Sequence, residues 1–147
     1  MNAALVARWI VSAIAAGQGI APLFIDLNRT HATNPLWPGH ARFHVVWQAF
    51  AQLPLAAVTL ALLWWPGAAI HERFFLAALL VAASLIGFLV ATASRRLFGG
   101  ALHDPNGIQP AHLHVGSRTI DLDLNLAVVI VASVLLIGAM IAFRTEG

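Results

Sequence analysis

Long apolar runs separated by shorter polar segments dominate the hydropathy pattern of this chain. Four of the runs approach the length of about 17 to 25 residues that a helix needs to cross the hydrocarbon core of a bilayer. They lie at approximately residues 3–25, 44–65, 72–94 and 124–143. The pattern therefore predicts an all-α integral membrane protein, a four-transmembrane-helix up-down bundle that forms one membrane domain over residues 1–147.

Composition supports a membrane environment and excludes several kinds of function. The chain is 60% hydrophobic and 10% charged, whereas soluble domains average about 25% charged residues. All eight basic residues are arginines, and their largest cluster is the pair Arg95-Arg96, so we expect no nucleic-acid partner. Cysteine is absent, which excludes disulfides and thiolate chemistry.

The first apolar run has features of both a signal peptide and a retained span. Arg8 precedes the run, and small residues at 13–17 are typical of a cleavage region. The run continues to Ile25, beyond the usual length of a signal-peptide core. We therefore expect it to remain as the first span.

Histidine is concentrated in and beside the two longer segments between spans, residues 26–43 and 95–122. Six of the seven histidines lie there: His31, His40, His44, His103, His112 and His114. An up-down bundle places both segments on one face, which predicts two His-rich loops on the same side of the membrane. That face carries five arginines against three on the other, so the positive-inside rule places it in the cytoplasm.

Polar residues recur at multiples of four positions in two of the spans. One series is His40, His44, Gln48 and Gln52, and the other is Asp121, Asn125 and Ser133. On a helix of about 3.6 residues per turn, each series follows one face. Polar groups are costly in lipid, so we expect both series to face a shared polar cavity beneath the histidines. The alternative is that they only hydrogen-bond neighbouring helices.

The histidine spacing favours metal binding. Two histidines at i and i+4 on a helix can share one metal ion, and two at i and i+2 lie on one side of an extended strand. Imidazole nitrogen suits a transition metal such as Fe, Zn or Cu. The predicted metal ligands are His31, His40, His44, His112 and His114, with His103, Asp104 and Asp123 as further donors.

A haem is a second possibility for the same residues. It needs one axial histidine, for which we predict His44, and arginines to pair with its propionates. The predicted arginines are Arg42, Arg95 and Arg96. Arginines at a membrane interface contact lipid phosphates equally well, which is the alternative role for these three.

Acid–base chemistry without a cofactor is the third possibility. A histidine beside a carboxylate can transfer protons near neutral pH. We therefore predict His40 and His44 as catalytic residues, and Asp26 and Asp121 as the carboxylates that orient imidazoles. Alternatively, each histidine is an interfacial residue whose hydrogen bonds are satisfied by loop backbone.

The stretch DLNRTHATNPLWPGHARFHVVWQ, from Asp26 to Gln48, resembles the signature of a family of small four-span bacterial and fungal membrane proteins in the neighbourhood of the DoxX-like proteins. That resemblance implies an integral protein of the bacterial inner membrane, and it implies no activity. In layout alone, the chain is also similar to styrene oxide isomerase, a membrane enzyme that uses haem b as a Lewis acid to open epoxides. This second similarity implies a haem ligand in the stretch ARFH, which ends at His44.

Together these features predict a small membrane enzyme that acts on a hydrophobic small molecule at a His, Asp and Arg site near one membrane interface. The predicted substrate-binding residues are Gln48, Gln52, Asn125 and Trp47. A metal- or haem-assisted isomerase or oxidoreductase fits better than a hydrolase, because the sequence offers no nucleophile arrangement. The alternative is a transporter or an ion- or proton-conducting protein. We also expect the bundle to form a homo-oligomer.

Overall fold

The computed structural model describes residues 2–103 and 107–145. Four long helices account for most of them: α1 (Ala3–Ile25), α2 (Gly39–Trp64), α3 (Ile70–Ser94) and α4 (Leu124–Thr145). Each is long and apolar enough to cross a membrane. The prediction of an all-α four-helix membrane bundle is confirmed. A short 3₁₀ helix (Arg95–Leu97) and a hairpin of two strands, β1 (Ala111–Val115) and β2 (Arg118–Leu122), complete the fold.

Consecutive helices run antiparallel. The guanidinium of Arg8, near the start of α1, donates to the carbonyl of Leu63 near the end of α2. Ser84 in the middle of α3 donates to Gln52 of α2. We call the end of the bundle that carries residues 26–38 and 95–123 the histidine end. The opposite end, with the 65–69 turn, the start of α1 and the end of α4, is the packed end.

The buried apolar core lies towards the packed end. Phe74 at the start of α3 stacks on Phe143 near the end of α4, with ring centroids 3.7 Å apart. Val11, Leu63 and Val81 are fully buried beside them. Most fully buried core residues belong to the first halves of α1 and α3 and the last halves of α2 and α4. The histidine half of the bundle has few of them.

Helix boundaries differ from the predicted spans at three points. α2 begins at Gly39, directly after Pro38, and not at residue 44. Proline fixes its own φ and lacks an N–H, so it fits well just before the first helical turn. His40 and His44 consequently both lie on the helix. α3 begins two residues earlier than predicted, and α4 continues to Thr145.

The sequence analysis expected the second His-rich segment to be a loop, but part of it forms two strands. Residues 111–122 form an antiparallel hairpin in which Val115 is paired with Arg118 across a two-residue turn. Gly116 begins that turn with φ of +62°, a conformation that favours glycine. The extended arrangement predicted for His112 and His114 is present, but their partner strand was not predicted. Asp104, predicted as a further donor, lies outside the described residues.

Candidate functional site

Two asparagines fold the 26–38 loop. Asn28 donates from its side chain to the carbonyl of Phe24 over 2.7 Å and accepts from the backbone of Thr30 over 2.8 Å. Asn34 is 1% exposed, accepts from the Leu36 backbone and donates to the Thr30 carbonyl. Short polar side chains that bond backbone two residues ahead stabilise turns. The loop is therefore a compact structure that holds its one histidine in place.

His31 is that histidine, and it lies between a hydroxyl and a carboxylate. Its Nδ1 is 2.7 Å from Oγ1 of Thr30 and 4.0 Å from Oδ1 of Asp26. The Thr30 hydroxyl has one proton, and Asn28 Oδ1 lies within 2.6 Å to accept it. Nδ1 of His31 is then the donor to Thr30, which leaves the lone pair on Nε2. The arrangement favours an imidazole whose Nε2 can accept a proton or bind a ligand.

Asp26 follows the last residue of α1 and is partly buried. Burial raises the pKa of its carboxyl above the ordinary value of 3.8, and the nearby His31 partly opposes this by lowering it. Desolvation disfavours a charged carboxylate, whereas a protonated imidazole favours it. The carboxyl is thus coupled to the charge state of His31.

A cavity of about 360 Å³ opens beside this pair at the histidine end. His31, Trp37, His103 and Asn125 contribute its ring and amide side chains. The remaining lining residues are Gly99, Ala101, Leu102, Gly107 and Ile108. The ring of Trp37 meets that of His31 edge to face at 5.2 Å. The cavity thus has more polar than apolar lining surface, with Leu102 and Ile108 as its larger aliphatic side chains.

His40 and His44 form a separate pair on the outer surface of α2. Their Nε2 atoms are 3.0 Å apart, and both side chains are exposed. Phe43 and Trp47 lie beside His44, with ring centroids 6.0 Å and 5.7 Å from its ring. The predicted i, i+4 pairing of the imidazoles is present. The pair does not line the cavity beside His31.

The spacing of this pair is that of a hydrogen bond between the two imidazoles, and it also falls in the range for two nitrogens on one metal ion. Two nitrogens bound at about 2.0–2.1 Å to one metal lie roughly 2.9 Å apart in cis square-planar geometry and roughly 3.3 Å apart in tetrahedral geometry. The observed 3.0 Å lies between these values. Within residues 2–103 and 107–145, however, no three His, Asp or Glu side chains come together as a metal-binding group. The five predicted ligands therefore do not form one site within a single chain.

The polar series do not converge in one pocket. Gln48 is exposed on α2, Gln52 is partly buried against α3, and Asn125 borders the cavity at the start of α4. The expectation of a shared interior pocket for these residues is therefore wrong. Residues four apart advance about 40° beyond a full turn, so a series of four rotates by about 120° around the helix. The series begins on the outer surface with His40 and reaches the α3 interface only at Gln52.

The hairpin carries a second Asp–His pair. Nδ1 of His112 is 2.7 Å from Oδ1 of Asp121, directly opposite it in the ladder. Nδ1 of His114 is 3.1 Å from Oγ1 of Thr119 on the same face. The His112 and Asp121 side chains are 63% and 65% exposed. Solvent screens so exposed a pair, which makes it a weaker candidate for catalysis than His31.

The three arginines predicted to bind an anion are not gathered at one point. Arg95 donates to the backbone of Thr92 over 2.6 Å, and Arg96 is exposed. Arg42 lies one turn along α2 from Pro38, and its buried Nε has no hydrogen-bond partner. No ion pair within the described part of the chain includes any of them. A common propionate clamp is therefore not formed by these side chains as placed.

Comparisons of the chain with protein-family models, with curated proteins and with solved structures find no match. The resemblances stated for Asp26 to Gln48 accordingly stay expectations. The sequence analysis missed the roles of Asn28 and Thr30 around His31. Their spacing, Asn-x-Thr directly after a helix, is a turn signal that predicts a short polar motif there. The sequence analysis predicted His31 as a metal ligand, and it did not predict that His31 lines a cavity.

Proposed function

We propose that this chain is a membrane enzyme that isomerises a hydrophobic carbonyl compound by proton transfer in the cavity at the histidine end. The observation that carries the proposal is His31, which lines the cavity while Thr30 and Asp26 flank its Nδ1. An imidazole whose Nδ1 donates a hydrogen bond keeps the lone pair on Nε2, which can abstract a proton. The membrane itself delivers an apolar substrate to the end of the bundle.

His31 transfers one proton in this proposal. The C–H bond next to the substrate carbonyl breaks, the proton moves to Nε2 of His31, and the electron pair is delocalised to the carbonyl oxygen as an enolate. The proton then returns to a different carbon, so the double bond moves and no electrons are gained or lost. Asp26 stabilises the imidazolium that forms, and the Asn125 amide donates to the enolate oxygen.

A pocket open at one end explains the structure better than a conduit through the bundle. A pathway for ions or protons needs polar groups or water along its whole length. In the packed half, Val11, Leu63, Phe74 and Val81 are fully buried, and Phe74 stacks on Phe143. The alternative of a transporter therefore needs a route outside this core, such as one between copies of the chain.

Deuterium exchange tests the proposed chemistry. The purified protein in detergent is incubated in D₂O with a long-chain β,γ-unsaturated ketone, and deuterium uptake and conjugation are followed by mass spectrometry and absorbance. We expect catalysis by the wild-type chain and a loss of about 10²-fold or more in His31→Gln, the usual contribution of a general base. Ser94→Ala is the control, because Ser94 bonds only within its own helix. Equal rates in wild type and His31→Gln, or no catalysis by either, contradict the proposal.

We also propose that His40 and His44 bind a transition metal that a second copy of the chain helps to coordinate. Two imidazoles satisfy half of a four-coordinate ion, and a symmetric dimer supplies the same pair twice. Gln48 lies exposed one turn beyond His44, and a polar amide in a spanning helix is more stable against a protein partner than against lipid. Four imidazoles would close the coordination shell, so a metal bound there would join two copies of the chain and would have no open position for a substrate.

Metal content and mass test this second proposal. The detergent-purified protein is equilibrated with Zn²⁺, Cu²⁺ or Fe²⁺, and metal per chain and oligomer mass are measured. We expect one ion for two chains, and loss of both ion and dimer in His44→Ala. Phe50→Leu, another exposed change on α2, should retain both. An absorption spectrum distinguishes haem through its Soret band. Equal metal binding by His44→Ala, or none by wild type, contradicts the proposal.

A further inference from the structure

A charged side chain lies within the first spanning helix at the packed end. Arg8 is five residues after the first residue of α1, which places it about 7.5 Å along the helix. It is partly buried, and charged residues inside a membrane span are costly unless something neutralises or solvates them. The groups around the guanidinium therefore determine how Arg8 is tolerated in the span.

The described residues position Arg8 and do not neutralise it. Its Nη2 donates to the carbonyl of Leu63, and the guanidinium carbon lies 4.2 Å from the ring centroid of Trp64. Trp64 is held by a 2.8 Å bond from its Nε1 to Oγ of Ser12. Nε of Arg8 is buried without a partner. No carboxylate within the described ranges forms an ion pair with it.

A cavity of about 200 Å³ lies against this cation, between α1, α3 and α4. Its polar lining is Arg8, His71 and Asn2, and its apolar lining is Leu5, Ile70, Phe143 and Ala4. No acidic residue within residues 2–103 and 107–145 lines it. The cavity is therefore positive on one side and apolar on the other.

The starts of two helices meet at this cavity. Asn2 caps α1, and Ile70 and His71 are the first residues of α3. No side chain caps α3, whose N-cap Ala69 adopts φ of +61°. Uncapped N–H groups favour a negative ligand, whereas the positive end of the helix dipole is already complemented by Glu72 in the first turn of α3. These N–H groups add to the positive charge of the Arg8 guanidinium.

We propose that this cavity binds a phosphate group, and that the phosphate belongs to the headgroup of an anionic phospholipid. A guanidinium and free backbone N–H groups are the donors that bind phosphate most strongly. Basic pockets between spanning helices at a membrane surface bind lipid headgroups in this way. The apolar lining formed by Leu5, Ile70 and Phe143 suits the glycerol and the start of an acyl chain. The site lies at the opposite end from the proposed catalytic cavity, so neither proposal depends on the other.

Native mass spectrometry of the full chain tests this site. Delipidated protein is titrated with phosphatidylglycerol, and separately with inorganic phosphate. We expect one tightly bound phosphatidylglycerol per chain, and affinity lower by about tenfold or more in Arg8→Gln, the cost of losing a charge-assisted bond. Arg144→Gln is the matched control, because Arg144 is exposed at the same end and does not line the cavity.

The remaining outcomes also decide the proposal. If Arg8→Gln does not fold, Arg8→Lys keeps the charge without the planar fork and should bind less tightly than wild type. Displacement of the lipid by inorganic phosphate at comparable concentration would assign the site to a soluble phosphate and overturn the lipid as its source. Equal lipid binding by wild type, Arg8→Gln and Arg144→Gln would show interfacial attraction without a site, and would overturn the proposal.

Discussion

The two ends of this bundle differ in what holds them together. At the packed end, rings and small apolar residues pack between the helices, Phe74 and Phe143 stack at its centre, and the cavity beside Arg8 is smaller than the one at the histidine end. At the histidine end, side-chain hydrogen bonds to backbone hold the 26–38 loop, and a cavity remains. Helices in lipid gain little hydrophobic free energy from association, so close packing supplies the stability. The packed end stabilises the fold, which leaves the histidine end free to carry polar chemistry.

The largest expected effect concerns the packed end. Phe74→Ala removes a fully buried ring and should lower the free energy of unfolding by about 3–5 kcal/mol. Phe43→Ala, at an exposed ring of the histidine end, should change it by less than about 1 kcal/mol. Reversible unfolding in mixed detergent and SDS micelles measures both. Equal losses would mean that the two ends are stabilised alike, and would contradict a larger contribution of the packed end to stability.

The next largest effect concerns the close approach of α1 and α2 at Gly19. A Cβ added at Gly19 would lie 2.7 Å from Cβ of Ala56, so Gly19→Ala must push the helices apart. We expect a loss of about 1–3 kcal/mol in the same unfolding measurement. Gly17→Ala is the control, because its Cβ would meet nothing within 4 Å. Similar losses in both variants would exclude close packing at Gly19 as the cause.

The elements of the fold could be predicted from sequence where their cause lies within one segment of the chain. Run length alone predicted the four helices, because lipid requires every backbone group to be bonded within its helix. The hairpin was missed although AHLHV and RTIDL alternate around Gly116, a pattern that predicts strands. Histidines at alternate positions are equally expected for a ligand pair on an extended segment, so the alternation alone did not predict a partner strand.

The site was less predictable, because it depends on helix rotation and on contacts between distant segments. The spacing of His40 and His44 predicted their pairing, which is a local property of one helix. The position of Gln48 could not be predicted, because the sequence does not say which face of α2 meets α3. The cavity joins His31 to His103 and Asn125 across the chain, and no spacing rule predicts such a meeting.

A pH-dependent effect separates the two ends further. Burial raises the pKa of Asp26, so its stabilising contribution is complete below the unfolded value near 3.8 and is lost as pH rises through the folded value. Relative to Asp26→Asn, the wild-type chain should therefore lose thermal stability as the pH rises from about 4 through the folded pKa of Asp26. In His31→Gln the loss should move to higher pH, since His31 lowers the Asp26 pKa. Tm values from about pH 4 to 8 test this, and parallel curves for wild type and Asp26→Asn would contradict it.

The smallest expected effect lies midway between the ends. Oγ of Ser84 donates to Oε1 of Gln52 over 3.2 Å. Hydrogen bonds between membrane helices average about 0.6 kcal/mol, so Ser84→Ala should cost about that much. A double-mutant cycle with Gln52→Leu isolates the pair. A coupling energy of zero would show that the two side chains do not stabilise the α2–α3 contact.

The central claim is that the chemistry takes place in the cavity at the histidine end and not elsewhere in the bundle. The chain has no cysteine, so one can be introduced at Ala101, which lines the cavity, or at Ala68, in the exposed turn of the packed end. Each variant is then modified with a bulky maleimide, and deuterium exchange of the unsaturated ketone is measured. We predict that modification of Ala101→Cys abolishes the exchange and that modification of Ala68→Cys leaves it unchanged. Exchange that survives at Ala101→Cys would contradict the account.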